Sequence, residues 1–141
     1  APELVEPLAA ALAELGAERA LVVHGSDGMD ELTTTGSSEA ALYDGGTVRR
    51  LVVEPGKLGL PTATSGALRG GDAGENAEIV RAVLEGEVGA RRDVVVLNAA
   101  AALWVGDVVG DLGAGLVRAK DSIDSGAARE KLESMVKATR S

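Results

Sequence analysis

The first fifteen residues carry apolar side chains at helical spacing, at Leu4, Leu8, Leu12 and Leu15. Positions three or four apart lie on one face of a helix. Pro2 stands where a helix tolerates proline, in its first turn, and Gly16 follows the last leucine, as glycine follows many helix C-termini. We therefore predict an amphipathic first helix whose apolar face is this row of leucines.

The next forty residues are typical of strands separated by turns. A short apolar run covers residues 19–24, and stretches of β-compatible residues cover 32–35, 38–43 and 47–53. The last two stretches are joined by Asp44-Gly45-Gly46, which favours a hairpin. The pattern predicts about four strands.

From residue 72 onward the pattern becomes helical. Asp72 and Glu75 have the spacing of a capping box, and Gly86 follows an apolar stripe as its end. Residues 91–105 suit a buried strand or a helix by periodicity, and their length and alanine content favour the helix. Two more helical faces follow on either side of Ser125-Gly126, so we expect about four helices here.

Residues 54–71 separate these two parts and are glycine-rich and irregular, which is typical of a functional or a mobile loop. We therefore divide one domain, or domain fragment, into a helix with strands (1–53), a loop (54–71) and a helical part (72–141). The fold class is α/β, a partial sheet of about four strands followed by about four helices, which is half of a layered architecture. Such a piece is expected to expose a strand edge or an apolar face.

Composition narrows the possible partners. Apolar residues make up 45% of the chain, but Phe is absent and Tyr43 and Trp104 are the only aromatic residues, so platforms for stacking bases are scarce. A net charge of −8 also opposes nucleic-acid phosphates, and we expect no nucleic-acid partner. A phosphate ligand stays possible, since a local glycine loop or a magnesium ion can override the overall charge.

The chain has no cysteine, which excludes a disulfide framework, a thiol nucleophile and a thiolate metal site. Its first residues lack the pattern of a signal peptide, and its longest apolar run, residues 94–105, is too short to cross a bilayer. We therefore expect a cytoplasmic protein with no membrane partner.

The candidate chemistry lies between His24 and Gly36, where Asp30 and Glu31 stand side by side after the turn Asp27-Gly28. Magnesium is usually held by one or two protein carboxylates together with water and substrate phosphates, and an adjacent acid pair suits that ion. The alternative is an ordinary Asp-Gly turn followed by solvated acids.

Several short motifs succeed one another in a recognisable order. They are Gly-Ser-Asp-Gly-Met-Asp-Glu at 25–31, Thr-Thr-Thr-Gly at 33–36, Glu54-Pro55 with Leu58-Gly59-Leu60, Gly70-Gly71-Asp72-Ala73 with Glu75-Asn76-Ala77, Leu97-Asn98-Ala99-Ala100, and Ile123-Asp124-Ser125-Gly126-Ala127. Together the motifs resemble the C-terminal half of the catalytic domain of anthranilate phosphoribosyltransferase, over residues 15–132. The resemblance implies that Asp30 and Glu31 bind Mg²⁺ carried with phosphoribosyl pyrophosphate.

Other parts of the family's site have no counterpart in these residues. The Gly-Thr-Gly-Gly-Asp pyrophosphate loop, the Lys-His-Gly-Asn segment and the anthranilate-contacting arginine belong to an upstream part of the family, and Gly70-Gly71-Asp72 matches a later stretch. We therefore assign no catalytic residue and no cofactor-binding residue beyond the metal pair. The resemblance implies a complete enzyme that acts on phosphoribosyl pyrophosphate and anthranilate in tryptophan biosynthesis, includes an N-terminal part, and is a homo-oligomer.

Two alternatives stay open at this point. One is a fragment of a related nucleoside phosphorylase or nucleobase phosphoribosyltransferase. The other is a non-catalytic structural or metal-binding module. Under each hypothesis we expect the isolated chain to lack transferase activity.

The polar positions outside the acid pair have structural explanations. The single histidine, His24, ends a strand and is expected to be structural. Residues 33–35 are threonines, which favour a strand over phosphate binding. Asn76 and Asn98 interrupt apolar helical surroundings, where a buried amide needs partners, and we expect them to pin a loop or cap a helix.

Overall fold

The computed structural model describes residues 1–140, and over that range the fold is mixed α/β. Its helices and strands are α1 (Val5–Glu14), β1 (Arg19–Gly25), β2 (Ser38–Asp44), β3 (Thr47–Val53), α2 (Ala73–Leu84), α3 (Ala90–Val105), α4 (Leu112–Asp124) and α5 (Ala127–Thr139). Short 3-10 helices cover Pro2–Leu4, Pro55–Leu58 and Ser65–Leu68. The predicted α/β class and the four helices after the loop are confirmed.

The strands form one antiparallel sheet in the order β1-β2-β3. Leu42 of β2 lies opposite Leu21 of β1 and Arg49 of β3, and the hairpin between β2 and β3 closes where Asp44 lies opposite Thr47. Gly45 and Gly46 both have positive φ, at +55° and +86°, as a two-residue hairpin turn requires. The predicted hairpin is confirmed.

The predicted strand at residues 32–35 is wrong, so the described residues contain three strands where about four were expected. The reason is that side chains bind the backbone N–H and C=O groups of this segment. The Asn98 side chain binds both the N–H and the C=O of Leu32, and the Ser38 hydroxyl accepts from the N–H of Thr33. These side-chain bonds use the groups that a strand ladder would need.

The first helix also differs from its prediction. The leucine row is exposed, between 41% and 85%, whereas Val5 and Ala9 are buried. Val5 and Ala9 pack with Ala41 on one face of the sheet. Small residues at this contact let the helix lie close to the strands, and the neighbouring leucine face is left outward.

The main core lies on the opposite face of the sheet, under α2 to α5. It is built from aliphatic residues, with Leu32, Val53, Leu60, Val96, Leu97, Ala100, Leu116 and Ile123 among its buried members. Helices α3 and α4 approach closely at Gly115, where an added Cβ would lie 2.6 Å from the carbonyl oxygen of Ala100. This contact fixes the spacing of the two helices.

The loop between β3 and α2 is held by the main core and by the β1–β2 connection. Leu60 is buried in the main core, and the N–H of Ala63 donates to the carbonyl oxygen of Thr34 at 2.9 Å. The loop ends at the predicted capping box, in which Asp72 and Glu75 each accept from the other's backbone N–H. None of the helices in the described part of the chain is both long and apolar enough to span a bilayer.

Candidate functional site

The candidate site is the β1–β2 loop, residues 26–37, which leaves the sheet at Gly25. Its first turn is closed by a hydrogen bond from the N–H of Gly28 to the carbonyl oxygen of Gly25 at 2.9 Å, and Gly28 has a φ of +89°. A Cβ on Gly25 would lie 2.6 Å from Oδ1 of Asp27. Glycine at position 25 is therefore what lets the Asp27 carboxylate fold back over the end of the strand.

Asp27 is the centre of the loop's hydrogen bonds. Its Oδ2 accepts from the hydroxyls of Thr33 and Thr35, both at 2.7 Å, and its Oδ1 accepts from the N–H of Met29 at 3.2 Å. Partial burial alone would raise the pKa of Asp27, but these donors outweigh it and hold that pKa below its usual value. Asp27 is therefore an ionised structural acid, and both of its carboxylate oxygens accept hydrogen bonds from the loop.

The three threonines serve this loop instead of a strand. Thr33 and Thr35 donate their hydroxyls to Asp27, and the Thr33 oxygen also accepts from the N–H of Thr35 at 3.0 Å. Thr34 is fully buried, and its hydroxyl has no hydrogen-bond partner among the residues described.

Asp30 and Glu31 take no part in this network within residues 1–140. Asp30 is exposed and Glu31 is half-buried, and neither carboxylate has a hydrogen bond or an ion pair within residues 1–140. Burial, and then repulsion from Asp30 and Asp27, raises the pKa of Glu31. Two adjacent carboxylates without a neutralising partner favour the approach of a cation.

The far side of the acid pair is anchored by Asn98 of α3. Its Oδ1 accepts from the N–H of Leu32 at 2.9 Å, and its Nδ2 donates to the carbonyl oxygen of Leu32 at 2.8 Å. A matching arrangement occurs at the start of α2, where Asn76 holds the N–H and C=O of Gly71, each at 2.9 Å. Both asparagines therefore pin a loop, as predicted.

The donor set fits magnesium better than an ion that needs a cage of protein ligands. The described residues contain no group of three or more histidine, aspartate or glutamate side chains that could hold a metal, and the Asp27 carboxylate already accepts three hydrogen bonds. Asp30 and Glu31 can therefore offer two carboxylates, with the remaining ligands left to water and phosphate. This is the usual division of ligands at a magnesium–phosphate site.

Sequence reasoning identified the acid pair but not the residues that shape the loop around it. It took Asp27 for a turn residue and the threonines for a strand. The missed signal is an aspartate before glycine with hydroxyl residues six and eight positions later, since aspartate readily binds nearby backbone and hydroxyl donors. The single histidine, His24, lies half-buried in β1, opposite Glu39.

The chain matches a known protein family and known relatives. Residues 1–129 match the family model described as "Glycosyl transferase family, a/b domain". The curated anthranilate phosphoribosyltransferase of Rhodospirillum rubrum is 52% identical over 136 residues, which are 96% of this chain and 39% of that protein. That of Azospirillum brasilense is 50% identical over 141 residues, which are 100% of this chain and 40% of that protein.

Solved structures give the same result. A crystal structure of anthranilate phosphoribosyltransferase from Thermus thermophilus has a TM-score of 0.90 and 37% identity, covering 100% of this chain and 41% of that chain. The Saccharomyces cerevisiae enzyme, in complex with PRPP and Mg, has a TM-score of 0.82 and 27% identity, covering 94% and 39%. The chain spans about two fifths of the length of the curated relatives that it matches. Because the family model matches nearly the whole sequence, the chain belongs to the glycosyl transferase family defined by this a/b domain.

Proposed function

We propose that this chain supplies the magnesium-binding carboxylates, Asp30 and Glu31, of an anthranilate phosphoribosyltransferase. The observation that carries the proposal is the state of this pair: the two carboxylates are adjacent in sequence and unpaired within residues 1–140, and they lie on a loop that other side chains already hold in place. The relatives named above carry the activity, and the yeast structure binds PRPP and Mg.

In the proposed reaction, the amine of anthranilate forms a bond to C1 of the ribose while the bond from C1 to pyrophosphate breaks, and the amine nitrogen releases one proton to the leaving pyrophosphate or to water. Magnesium, when bound, supplies positive charge to neutralise the pyrophosphate as it leaves. Asp30 and Glu31 hold that ion at the loop. The Asp27 network keeps the loop in one conformation before substrate arrives, so little rearrangement is needed on binding.

The rest of the active site is proposed to come from an upstream part of the enzyme. The family's pyrophosphate loop, its Lys-His-Gly-Asn segment and its anthranilate-contacting arginine have no counterpart in this sequence. Two surfaces of this chain are available to pack against the upstream part. In the sheet of residues 1–140, β1 pairs with β2 on one side only, and the leucine row of α1 is exposed. We extend the proposal to a cytoplasmic, homo-oligomeric complete enzyme.

The test uses a complete enzyme, in which the upstream part of the R. rubrum protein is joined to this chain in one polypeptide. Identity of 52% makes that protein a suitable donor. The rate of anthranilate consumption is measured against magnesium concentration at saturating phosphoribosyl pyrophosphate. We expect turnover, and we expect Asp30→Asn with Glu31→Gln to lower it about 100-fold and to raise the magnesium requirement.

Circular dichroism serves as the folding control, since the two carboxylates have no protein partner to lose within residues 1–140. A folded double variant with an unchanged magnesium dependence would show that the acids are solvated turn residues. Phosphorolysis of a pyrimidine nucleoside by the complete enzyme, without transfer to anthranilate, would instead support the nucleoside phosphorylase alternative.

A further inference from the structure

Asn98 links the middle of α3 to the backbone beside the acid pair. Its amide oxygen accepts from the N–H of Leu32 and its amide nitrogen donates to the carbonyl oxygen of the same residue, at 2.9 and 2.8 Å. Both backbone groups of Leu32 are therefore held by one planar side chain. Such a pair of bonds fixes the orientation of the peptide units as well as their position.

The Asn98 side chain is itself held in place. Its second amide hydrogen goes to the carbonyl oxygen of Val94, one turn earlier in α3, at 3.0 Å. Its neighbour Leu97 is fully buried in the main core. The amide cannot flip without setting its NH₂ against the N–H of Leu32, so one arrangement is strongly favoured.

The acid pair lies between two anchors. On one side, the N–H of Met29 donates to Asp27, and the carbonyl oxygen of Met29 accepts from the N–H of Gly25 at 2.9 Å. On the other, the Leu32 side chain is completely buried and its backbone is bound by Asn98. Since consecutive Cα atoms are about 3.8 Å apart, two residues between such anchors have little room to move.

The chemistry of position 98 also argues for a positioning role. A polar amide in a run of valine, leucine and alanine is costly unless its hydrogen bonds are satisfied, and an aliphatic residue would serve the core alone equally well. Here both hydrogens of the amide are used, and two of the three bonds go to Leu32, which directly follows Glu31.

We propose that Asn98 is a positioning residue that holds Asp30 and Glu31 in the geometry that binds magnesium. The proposal rests on the proposed function of the acid pair. Loss of the two bonds to Leu32 would free the end of the loop, and a displacement of about 1 Å in a reacting assembly costs roughly 100-fold in rate.

The experiment compares Asn98→Asp and Asn98→Leu with Asn76→Leu in the complete enzyme. Asn76 is a matched control because it makes the same pair of bonds, but to Gly71. Asn98→Asp keeps an acceptor for the N–H of Leu32 and loses both donors. We expect the Asn98 variants to raise the half-saturating magnesium concentration about tenfold and to lower the rate at saturating magnesium, with no such change in Asn76→Leu.

Two readouts do not depend on activity. The first is the affinity for Mn²⁺ alone, from electron paramagnetic resonance of the free ion, which we expect to fall in the Asn98 variants and not in Asn76→Leu. The second is amide hydrogen exchange of the unmodified protein without metal, in which we expect Leu32 to be protected like the amides of β2, the central strand.

Several outcomes would overturn the proposal. One is a Leu32 amide that exchanges as fast as an unprotected loop amide, a result that needs no variant to fold. Another is a magnesium requirement and Mn²⁺ affinity that change equally in the Asn98 and Asn76 variants. If Asp30→Asn with Glu31→Gln alters the magnesium requirement while the Asn98 variants do not, only the role of Asn98 is refuted. If the double variant has no effect, the proposed function itself fails.

Discussion

Replacing Asp27 by asparagine tests whether one ionised carboxylate holds the β1–β2 loop together. The carboxylate accepts three hydrogen bonds, two of them short hydroxyl contacts at 2.7 Å to the same oxygen. A carboxamide has one acceptor oxygen. Whichever way it turns, either the two threonine hydroxyls or the N–H of Met29 meet an NH₂ group instead.

The size of the effect follows from these bonds. A hydrogen bond to a charged group contributes roughly 1.5–3 kcal/mol when buried, and much less where water competes. Because Asp27 is largely exposed, we take the loss for Asp27→Asn at neutral pH as about 1 kcal/mol.

The stabilisation by the Asp27 carboxylate should depend on pH in a definite direction. Because the folded-state pKa of Asp27 is lowered, its carboxylate stabilises the fold above the unfolded-state pKa of about 4, and that stability is lost as pH falls through the lower folded value. The difference in free energy of unfolding between the wild type and Asp27→Asn should therefore be largest at neutral pH and should decrease below about pH 4. Other carboxylates titrate in both proteins and largely cancel in the difference.

The measurement is urea unfolding followed by circular dichroism, for both forms of the complete enzyme, from neutral pH down to the lowest pH at which both remain folded. Linear extrapolation gives the free energy of unfolding at each pH. If the two proteins have the same free energy of unfolding at neutral pH, or if their difference stays constant down to the lowest pH measured, the reasoning is refuted.

Three further predictions concern the same loop and the chain as a whole. Because burial and repulsion raise the pKa of Glu31, its protonated carboxyl group stabilises the fold below the unfolded-state pKa, and that contribution is lost as pH rises through the folded-state pKa. At neutral pH, Glu31→Gln should therefore raise the free energy of unfolding by up to about 0.5 kcal/mol and lower the magnesium affinity. A clear fall in Tm would contradict this. Gly25→Ala should lower the free energy of unfolding by about 1–3 kcal/mol, because its Cβ would lie 2.6 Å from Oδ1 of Asp27, which hydrogen bonds hold in place, and 3.2 Å from the carbonyl oxygen of Glu31. Gly56→Ala, with open space around it, should change Tm little, and equal Tm values for the two variants would argue against the close contact. The isolated 141-residue chain should show no anthranilate consumption above a blank, and steady turnover by a preparation of verified mass would disprove that expectation.

The helices and the hairpin could be predicted because their signals are local. The capping box at Asp72 and Glu75 and the glycine pair at residues 45–46 each specify their structure within a few residues. The strand predicted at 32–35 failed because the deciding partner, Asn98, is 66 residues away in sequence. A run of threonines favours a strand only when nothing distant takes its backbone groups.

The leucine row of α1 shows a second limit of the sequence. Periodicity indicates that a helix has an apolar face, but it does not show which neighbour covers that face. Val5 and Ala9 are small enough to lie close to the sheet, and they displace the leucines from the contact. The acid pair was predictable from its chemistry, whereas the network around Asp27 becomes visible only when the loop folds back on itself.

The close approach of α3 and α4 makes Gly115 part of the site's support, although it belongs to neither the loop nor the acid pair. Only glycine fits there, because an added Cβ would lie 2.6 Å from the carbonyl oxygen of Ala100, and Ala100 is two residues beyond Asn98 on the same helix. A larger residue at position 115 would have to push α3 aside, and Asn98 would move with it. Because the clash is with the backbone of residue 100, a smaller side chain there would not relieve it, and Gly115→Ala alone should lower the metal affinity measured in a mutational scan.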